Sequence, residues 1–533
     1  MNIGIKISEL RNKAGMTQEA LADALDVSRQ AVQKWESNAS CPDINNLLAI
    51  SQRFNVPLDE LLQNKISGGT VDDARFGSRN SPSYDKLMHW EVYSANLQIE
   101  CRQMREEGLD VEQYKKLVDE VSALPVCQAK EDLATLVGKI MASAPMRKNY
   151  EFTEPSTLDE IKKLRQPSGI VFTPPPANSA SLRDSIRGAW QGRIAGCLIG
   201  KPFESVMTND IRHVLKATGN FPMSRYVFAD EVTDEIRNGC ENQLKRVFYG
   251  RADDCAPSDD DTNYTVMSAL KIIEAHGKDF QPIDVAKCWM ANQPKDAYCT
   301  AERVAFINFV NGYFPPVSAV RKNPFREWIG AQIRGDYFGY ICPGDPEFAA
   351  EMAWRDASIS HTKNGIYGEM FVAAMLACAA VCKDTRSVVL GGLAEIPATS
   401  RLYAQVMEIV AMYDAGKNEN ECFELFRSRY DEHDWHDWCH TISNALIVVI
   451  SLLYCKLDFG KSVCDAVQAG FDTDCNGATV GSIVGMMIGA ANIPDCWTAP
   501  FNNKVDTSIF GVGIVSVEAL CDITMKHISM KRS

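Results

Sequence analysis

Apolar residues return every three or four positions along most of the chain, and little of it alternates with period two, so an all-α protein is expected. The first 62 residues read as short helices: Ile7 to Lys13, Thr17 to Leu25 behind a Thr cap, and Ser28 to Glu36 behind a Ser cap. A fourth begins at Pro42-Asp43 and runs through Phe54, and a short fifth covers Leu58 to Leu62. Gly, Ser, Asp and Asn then take over from Lys65 to Ser83, the composition of a linker. Helical spacing resumes from Tyr84 to about Ala142, with Leu87, Trp90, Val92 and Leu97 on one face and breaks near Gly108 and Pro125. Pro155, Pro167 and Pro174 to Pro176 cannot lie inside helices and mark a second linker. From Ser181 onward the pattern is almost continuously helical. The expected organisation is a helix-rich head at 1–64, a linker at 65–83, a helical spacer or dimerisation module at 84–145, a Pro-containing linker at 146–180, and a large helical domain at 181–533.

Composition narrows the class. At 533 residues the chain exceeds one ordinary core, which agrees with two or three domains. The longest apolar runs, Met370 to Val381 and Ala445 to Tyr454, fall short of the roughly 20 residues of a spanning helix. The N-terminus opens directly on a polar helix-forming sequence, so no signal peptide and a cytoplasmic location are expected. The 18 cysteines are scattered singly through apolar helices, the usage of a reducing compartment. A net charge of −14 argues against non-specific nucleic-acid binding over the whole surface, so any DNA contact must be local.

Two acidic stretches carry the candidate chemistry. Asp259-Asp260-Asp261 stands directly before a helical run that ends near Gly277, and Asp472-Thr473-Asp474-Cys475 stands before another, Gly477 to Ala491. Adjacent carboxylates raise one another's pKa unless a cation neutralises them. Either cluster alone could be a helix N-cap; two, each feeding a helix too apolar to be exposed, read as halves of one hard-cation site. Gly188, Gly192, Gly196 and Gly200, four apart on one helix face, allow a neighbouring helix or a ligand to approach the backbone, helix packing being the stronger reading.

Thr17-Gln18-Glu19, Leu21-Ala22, Val27-Ser28-Arg29, Val32 and Trp35-Glu36 give residues 1–64 a resemblance to the Cro and phage-repressor type of five-helix helix-turn-helix domain. Ala20, Leu21, Val27, Val32 and Trp35 would close its core, while Ser28, Arg29, Gln30, Gln33 and Lys34 face outward. Arg and Gln suit bidentate reading of guanine and adenine in the major groove, and Gln18 would touch a phosphate. Without the family match these side chains would read as a solvated face. A homodimer on a two-fold operator would double the contacts of a head with so little net positive charge.

In the large domain, Arg187 through Glu204, Asp259-Asp260-Asp261-Thr262, Ser360-His361-Thr362 and Asp472-Thr473-Asp474-Cys475 follow one another in an order that resembles the ADP-ribosylglycohydrolase family. That resemblance implies a large orthogonal helical bundle with two Mg²⁺ ions, Mn²⁺ being an alternative, that hydrolyses a glycosidic bond of an ADP-ribosyl group. It implies Asp259, Asp260, Asp261, Asp472, Asp474 and Cys475 as metal-site residues, and Glu204 and Asp474 as catalytic residues. It also implies His361, Gly330, Ala331 and Arg334 at the substrate, an ADP-ribosylated macromolecule or an ADP-ribose-like small molecule. Asp259 and Cys475 depart from the Thr or Ser usual at those places, and the phosphate loop of the family keeps only Gly330-Ala331 and Arg334. His433, His436, Cys439 and His440 lack an HExxH pattern, and a structural role is the stronger reading over zinc. Two functions remain: a Mg²⁺-dependent hydrolase directed by a DNA-binding head, or a repressor whose large domain senses a nucleotide metabolite without turnover.

Overall fold

The computed structural model describes residues 3–56, 83–241 and 254–531, together with Leu244 and Phe248. The expected helix at Leu58 to Leu62 and the linker up to residue 82 lie outside the described residues. The chain divides into two units, Met1–Pro82 and Ser83–Ser533.

The first unit contains α1 (Ile3–Lys13), α2 (Gln18–Ala24), α3 (Arg29–Glu36) and α4 (Ile44–Phe54). The side chains of Thr17, Ser28 and Asp43 cap the last three, each accepting the backbone N–H three residues on. Ile3, Ile7, Leu21, Ala22, Val32, Trp35 and Ile50 form the core. Ala20, expected inside, is exposed, and its neighbour Ala22 takes the buried position. Two positions apart on a 3.6-residue turn, the two alanines point to nearly opposite faces.

The second unit begins with short turns from Tyr84 to Asn96, where continuous helix was expected. They are followed by α5 (Leu97–Glu106), α6 (Lys115–Ser122) and α7 (Gln128–Ala142), which share a small core around Leu97, Val118, Val137 and Met141. Leu87, expected on the apolar face, is exposed. Buried polar contacts fasten this segment to the rest of the unit: Arg326 donates to Glu107 at 2.6 Å and to Glu100 at 2.9 Å, and Gln103 donates to Glu327 at 2.7 Å. Residues 146–180 contain a short helix, Leu158–Lys163, and Glu154, whose carboxylate accepts from the Arg401 backbone at 2.8 Å and from Asn364 at 2.8 Å.

The remainder is a large helical bundle in which α8 (Ala180–Gly200), α9 (Asp260–Met267), α10 (Thr300–Val310), α11 (Asn364–Ala379), α12 (Trp435–Cys439), α13 (Thr441–Tyr454) and α14 (Thr473–Ile488) position the site. α9 continues as a π-helical turn, Ser268–Ile273, and the run ends at Gly277 with φ +65°. A two-stranded ribbon pairs Lys504–Val505 with Val515–Ser516.

The glycine stripe of α8 is a helix-packing device. A Cβ on Gly188, Gly192 or Gly196 would lie 2.2, 2.0 or 1.9 Å from the carbonyl oxygen of Gly485, Gly481 or Gly477. The second stripe, also four apart, belongs to α14 and runs antiparallel to the first. At its end Gly200 abuts the Thr473 carbonyl and the Asp474 backbone, so the packing of two backbones sets the end of α8 beside the start of α14.

Candidate active site

The convergence at this corner builds an acidic floor. Asp259 caps α9, its carboxylate accepting the Asp261 N–H at 2.9 Å, which places the triple-Asp run at the positive end of the helix. Asp261 is fully buried; Arg193 of α8 donates to its Oδ1 at 3.1 Å and to its carbonyl at 2.8 Å, and meets Asp336 at 2.9 Å. Immediately after α8, the Lys201 ammonium lies 2.7 Å from Asp259, 2.8 Å from Glu204 and 3.2 Å from Asp474. Ser205, at φ +61°, turns the chain immediately after Glu204.

The charges are unequal in consequence. Burial, with Asp259 nearby, pushes the Asp260 carboxyl well above the ordinary range, and burial with Asp474 nearby does the same to Asp472. Asp261 is raised as well, because burial and its carboxylate neighbours outweigh Arg193. Burial works in the same direction on Asp259, yet Lys201 holds it below the usual value. Like charges are thus crowded at a place that a divalent cation would neutralise.

The donor set fits such an ion. Asp261 Oδ2 and Asp474 Oδ1 are buried oxygens without a hydrogen-bond partner. One ligand atom from each of Asp261, Asp474 and Cys475 falls within 4.8 Å of the others. Two carboxylate oxygens suit a hard cation, whereas burial holds the Cys475 thiol protonated, and a neutral thiol is a poor ligand for Mg²⁺. Cys197 stands in the same relation to Asp259 and Asp261.

A cavity of about 440 Å³ opens over this floor. Glu204, Asp260, Asp472, Asp474 and Cys475 line it together with Gly330. The other residues expected at the substrate are placed elsewhere. Ala331 is fully buried behind the wall. His361 is buried, bonded through Nδ1 to Ser360 at 2.8 Å, and kept neutral by burial. Arg334 is turned into the protein, where it donates to Glu302 at 2.6 Å and to Asp356 and approaches Glu369 at 3.5 Å. An arginine beside three buried carboxylates is committed to them, which corrects the expectation that it reaches the substrate.

Several wall residues escaped sequence reasoning: Glu302 at the start of α10, Trp328, Trp435 and Trp438 around α12, and His89 and Trp90 from the segment before α5. Lys201 and Arg193 escaped too, although their positions on the glycine-striped helix were a usable signal. Trp90 and Ile99 pack against Phe325 and Trp328, so the 84–145 segment completes the cavity wall.

Hydrogen bonds hold the rings of His436 and His440, which with Glu106 bring three possible ligand atoms within 4.8 Å. His436 Nδ1 accepts the Trp328 indole N–H at 3.1 Å and His440 Nδ1 accepts the Ile442 backbone N–H at 3.1 Å. With each Nδ1 accepting, the ring proton belongs on Nε2, and the two Nε2 atoms face Glu106 at 3.1 and 3.7 Å. A ring whose Nε2 is protonated has no lone pair there for zinc.

In the first unit Ser28, Arg29, Gln30, Gln33 and Lys34 all lie on the exposed side of α3. Gln18 is half-buried and donates to Glu36 at 2.8 Å, a carboxylate that also binds Arg11 at 2.6 Å, so its amide already has a partner.

Comparison with known proteins bears on both units. A family model described as ADP-ribosylglycohydrolase matches residues 178–525, and one described as helix-turn-helix matches residues 7–61. The HTH-type transcriptional activator BcrR of Enterococcus faecalis is 45% identical over 62 residues, 12% of this chain and 30% of that protein. The HTH-type transcriptional regulator ImmR of Bacillus subtilis (strain 168) is 36% identical over 62 residues, 12% of this chain and 49% of that protein. The chain thus spans half or less of the length of these two relatives. A solved structure titled ADP-ribosylglycohydrolase-related protein complex aligns with a TM-score of 0.39 at 16% identity, over 66% of this chain and all of the other. Among the described residues no helix is long and apolar enough to cross a membrane.

Proposed function

Since this chain belongs to the ADP-ribosylglycohydrolase family and carries an N-terminal helix-turn-helix domain, we propose that it is a divalent-metal-dependent hydrolase of a ribosyl or ADP-ribosyl glycosidic bond, directed by sequence-specific DNA binding. The observation that carries the reading is that Asp261 and Asp474, from two distant helix starts, bring ligand oxygens within 4.8 Å of each other, Asp474 lining the cavity as well.

Mg²⁺, or Mn²⁺ in its place, would be held by Asp260, Asp261, Asp472 and Asp474. When bound it would supply Lewis acidity and a grip on sugar hydroxyls. The chain's own groups do the rest. Glu204 lines the cavity with its carboxylate 2.8 Å from Lys201, placed to take the proton of an attacking water. The remaining carboxylates face the position where an oxocarbenium-like centre would develop and stabilise its charge. The exposed face of α3, with Arg29, Gln30 and Gln33, suits base edges in the major groove.

The test is release of the sugar product by purified full-length protein from ribosyl and ADP-ribosyl substrates, in Mg²⁺ and after chelation. Metal-dependent release abolished in Glu204→Gln supports the reading, and absence of release from every substrate counts against it. A second reading, a regulator that binds its ligand without turnover, is favoured by the regulator names of the two N-terminal relatives and by Lys201, which already neutralises part of the floor. It requires ligand binding that shifts DNA affinity without product formation.

A further inference from the structure

The outer side of α7 is apolar where a surface helix ordinarily turns polar residues to water. Its inner side belongs to the small core of residues 84–145 through Ala134, Val137 and Met141, all buried. The outer side carries Leu133, Leu136 and Ile140, which are 43%, 54% and 36% exposed. They recur at intervals of three and four residues and so form one stripe along the helix. A helix apolar on two sides is characteristic of one covered on both.

The border of the stripe identifies what covers it. Asp132 and Lys139, both exposed, stand on the same edge seven residues apart, two turns or about 10 Å along the axis. When two copies of α7 pack antiparallel about a two-fold axis midway between these positions, each edge faces its own counterpart in reversed order. Asp132 of one copy then lies opposite Lys139 of the other, and the pair occurs twice. Leu133, Leu136 and Ile140 interleave with their counterparts at the centre. Parallel pairing would set Asp132 against Asp132 and Lys139 against Lys139, which repulsion disfavours. Stripe and border are therefore self-complementary in one orientation.

The strength of the contact follows from its size. A helix of 15 residues is about 22 Å long and 10 Å across. Such a face is well below the roughly 800 Å² that each partner gives to a standard interface, so α7 alone supports an association in the micromolar range. A dimer nonetheless carries two copies of the exposed face of α3, and a two-fold DNA site that engages both strengthens binding without any new contact.

We propose that α7 is a dimerisation face whose occupant is α7 of a second copy of this chain, packed antiparallel across a two-fold axis. The proposal is independent of the chemistry of the cavity.

The experiment is sedimentation velocity of the full-length protein without DNA, over a series of micromolar concentrations. It compares the wild type with Leu136→Lys, Asp132→Lys, Lys139→Asp and the double variant Asp132→Lys, Lys139→Asp, each checked for unchanged helical content. The wild type is expected to associate reversibly into dimers. Leu136→Lys should weaken the association at least tenfold, and each single charge reversal about fivefold, because it sets like charges opposite one another at both edge pairs. The double variant restores opposite charges across the axis and should return to within about twofold of the wild type. A wild type that stays monomeric throughout, a dimer that survives Leu136→Lys, or a double variant as weak as the single ones overturns the proposal.

Discussion

The Lys201 ammonium lies 3.2 Å from the Asp474 carboxylate, across 273 residues of sequence. It is the chain's own cation at the point where the starts of α9 and α14 meet, and it also serves Asp259 and Glu204. Replacing it with a neutral residue leaves three carboxylates facing one another. Lys201→Gln is therefore expected to cost about 2 kcal/mol at neutral pH, less than a fully buried pair because the side chain is partly exposed. Added Mg²⁺ should restore much of that loss, and urea unfolding with and without Mg²⁺ measures both.

The glycine stripes make the site depend on backbone packing some distance away. Gly192→Ala would set a methyl group 2.0 Å from the Gly481 carbonyl oxygen, with neither helix able to yield cheaply. The expected effect is a loss of about 3 kcal/mol. Divalent-ion affinity should fall in parallel, since separating α8 from α14 draws Lys201 away from Asp474. Thermal unfolding and calorimetric metal titration read the two effects.

Glu302 gives a signature in pH. Burial pushes its carboxyl up to about 7, against the pull of Arg334. The folded protein therefore binds this proton more tightly than the unfolded chain does, and the stabilisation, complete below the unfolded value, is lost as pH rises through about 7. Stability of the wild type should consequently fall more steeply between pH 5 and 8 than that of Glu302→Gln, a span that brackets the raised value of about 7. Denaturant midpoints measured across this range, one protein against the other, give the comparison.

How much of this was legible beforehand depends on the range of the interaction. Three adjacent aspartates before an apolar helix announce a buried charge problem locally, and Thr17, Ser28 and Asp43 announce helix starts. The stripe from Gly188 to Gly200 was legible as a packing face, but its partner Gly477, Gly481 and Gly485 becomes meaningful only once the helices are known to run antiparallel. Arg334 shows the limit from the other side. An arginine in the phosphate-loop region reads as a ligand-binding group until the three-dimensional arrangement supplies Glu302, Asp356 and Glu369 as partners. Trp90 lies more than 200 residues from Trp328, and no local pattern reports that they share a wall. Ala20 was misplaced by helical phase alone, which short elements define poorly.

The exposed face of α3 should carry the DNA specificity of the head. Arg29→Ala and Gln33→Ala are expected to weaken binding to a sequence selected from a random DNA library by about tenfold or more, and to relax selectivity at one base pair each. Neither should change the unfolding temperature, since both side chains are exposed. Gln18→Ala should act mainly through stability, because its amide is bonded to Glu36.

The most direct measurement is Mn²⁺ binding, followed by electron paramagnetic resonance, to the folded wild type and to Asp261→Asn and Asp474→Asn checked for helical content. Saturable binding that Mg²⁺ displaces, at least tenfold weaker in each variant, is expected of a site shared by the two helix starts. An affinity unchanged in either variant, or no saturable binding to the wild type, would contradict it.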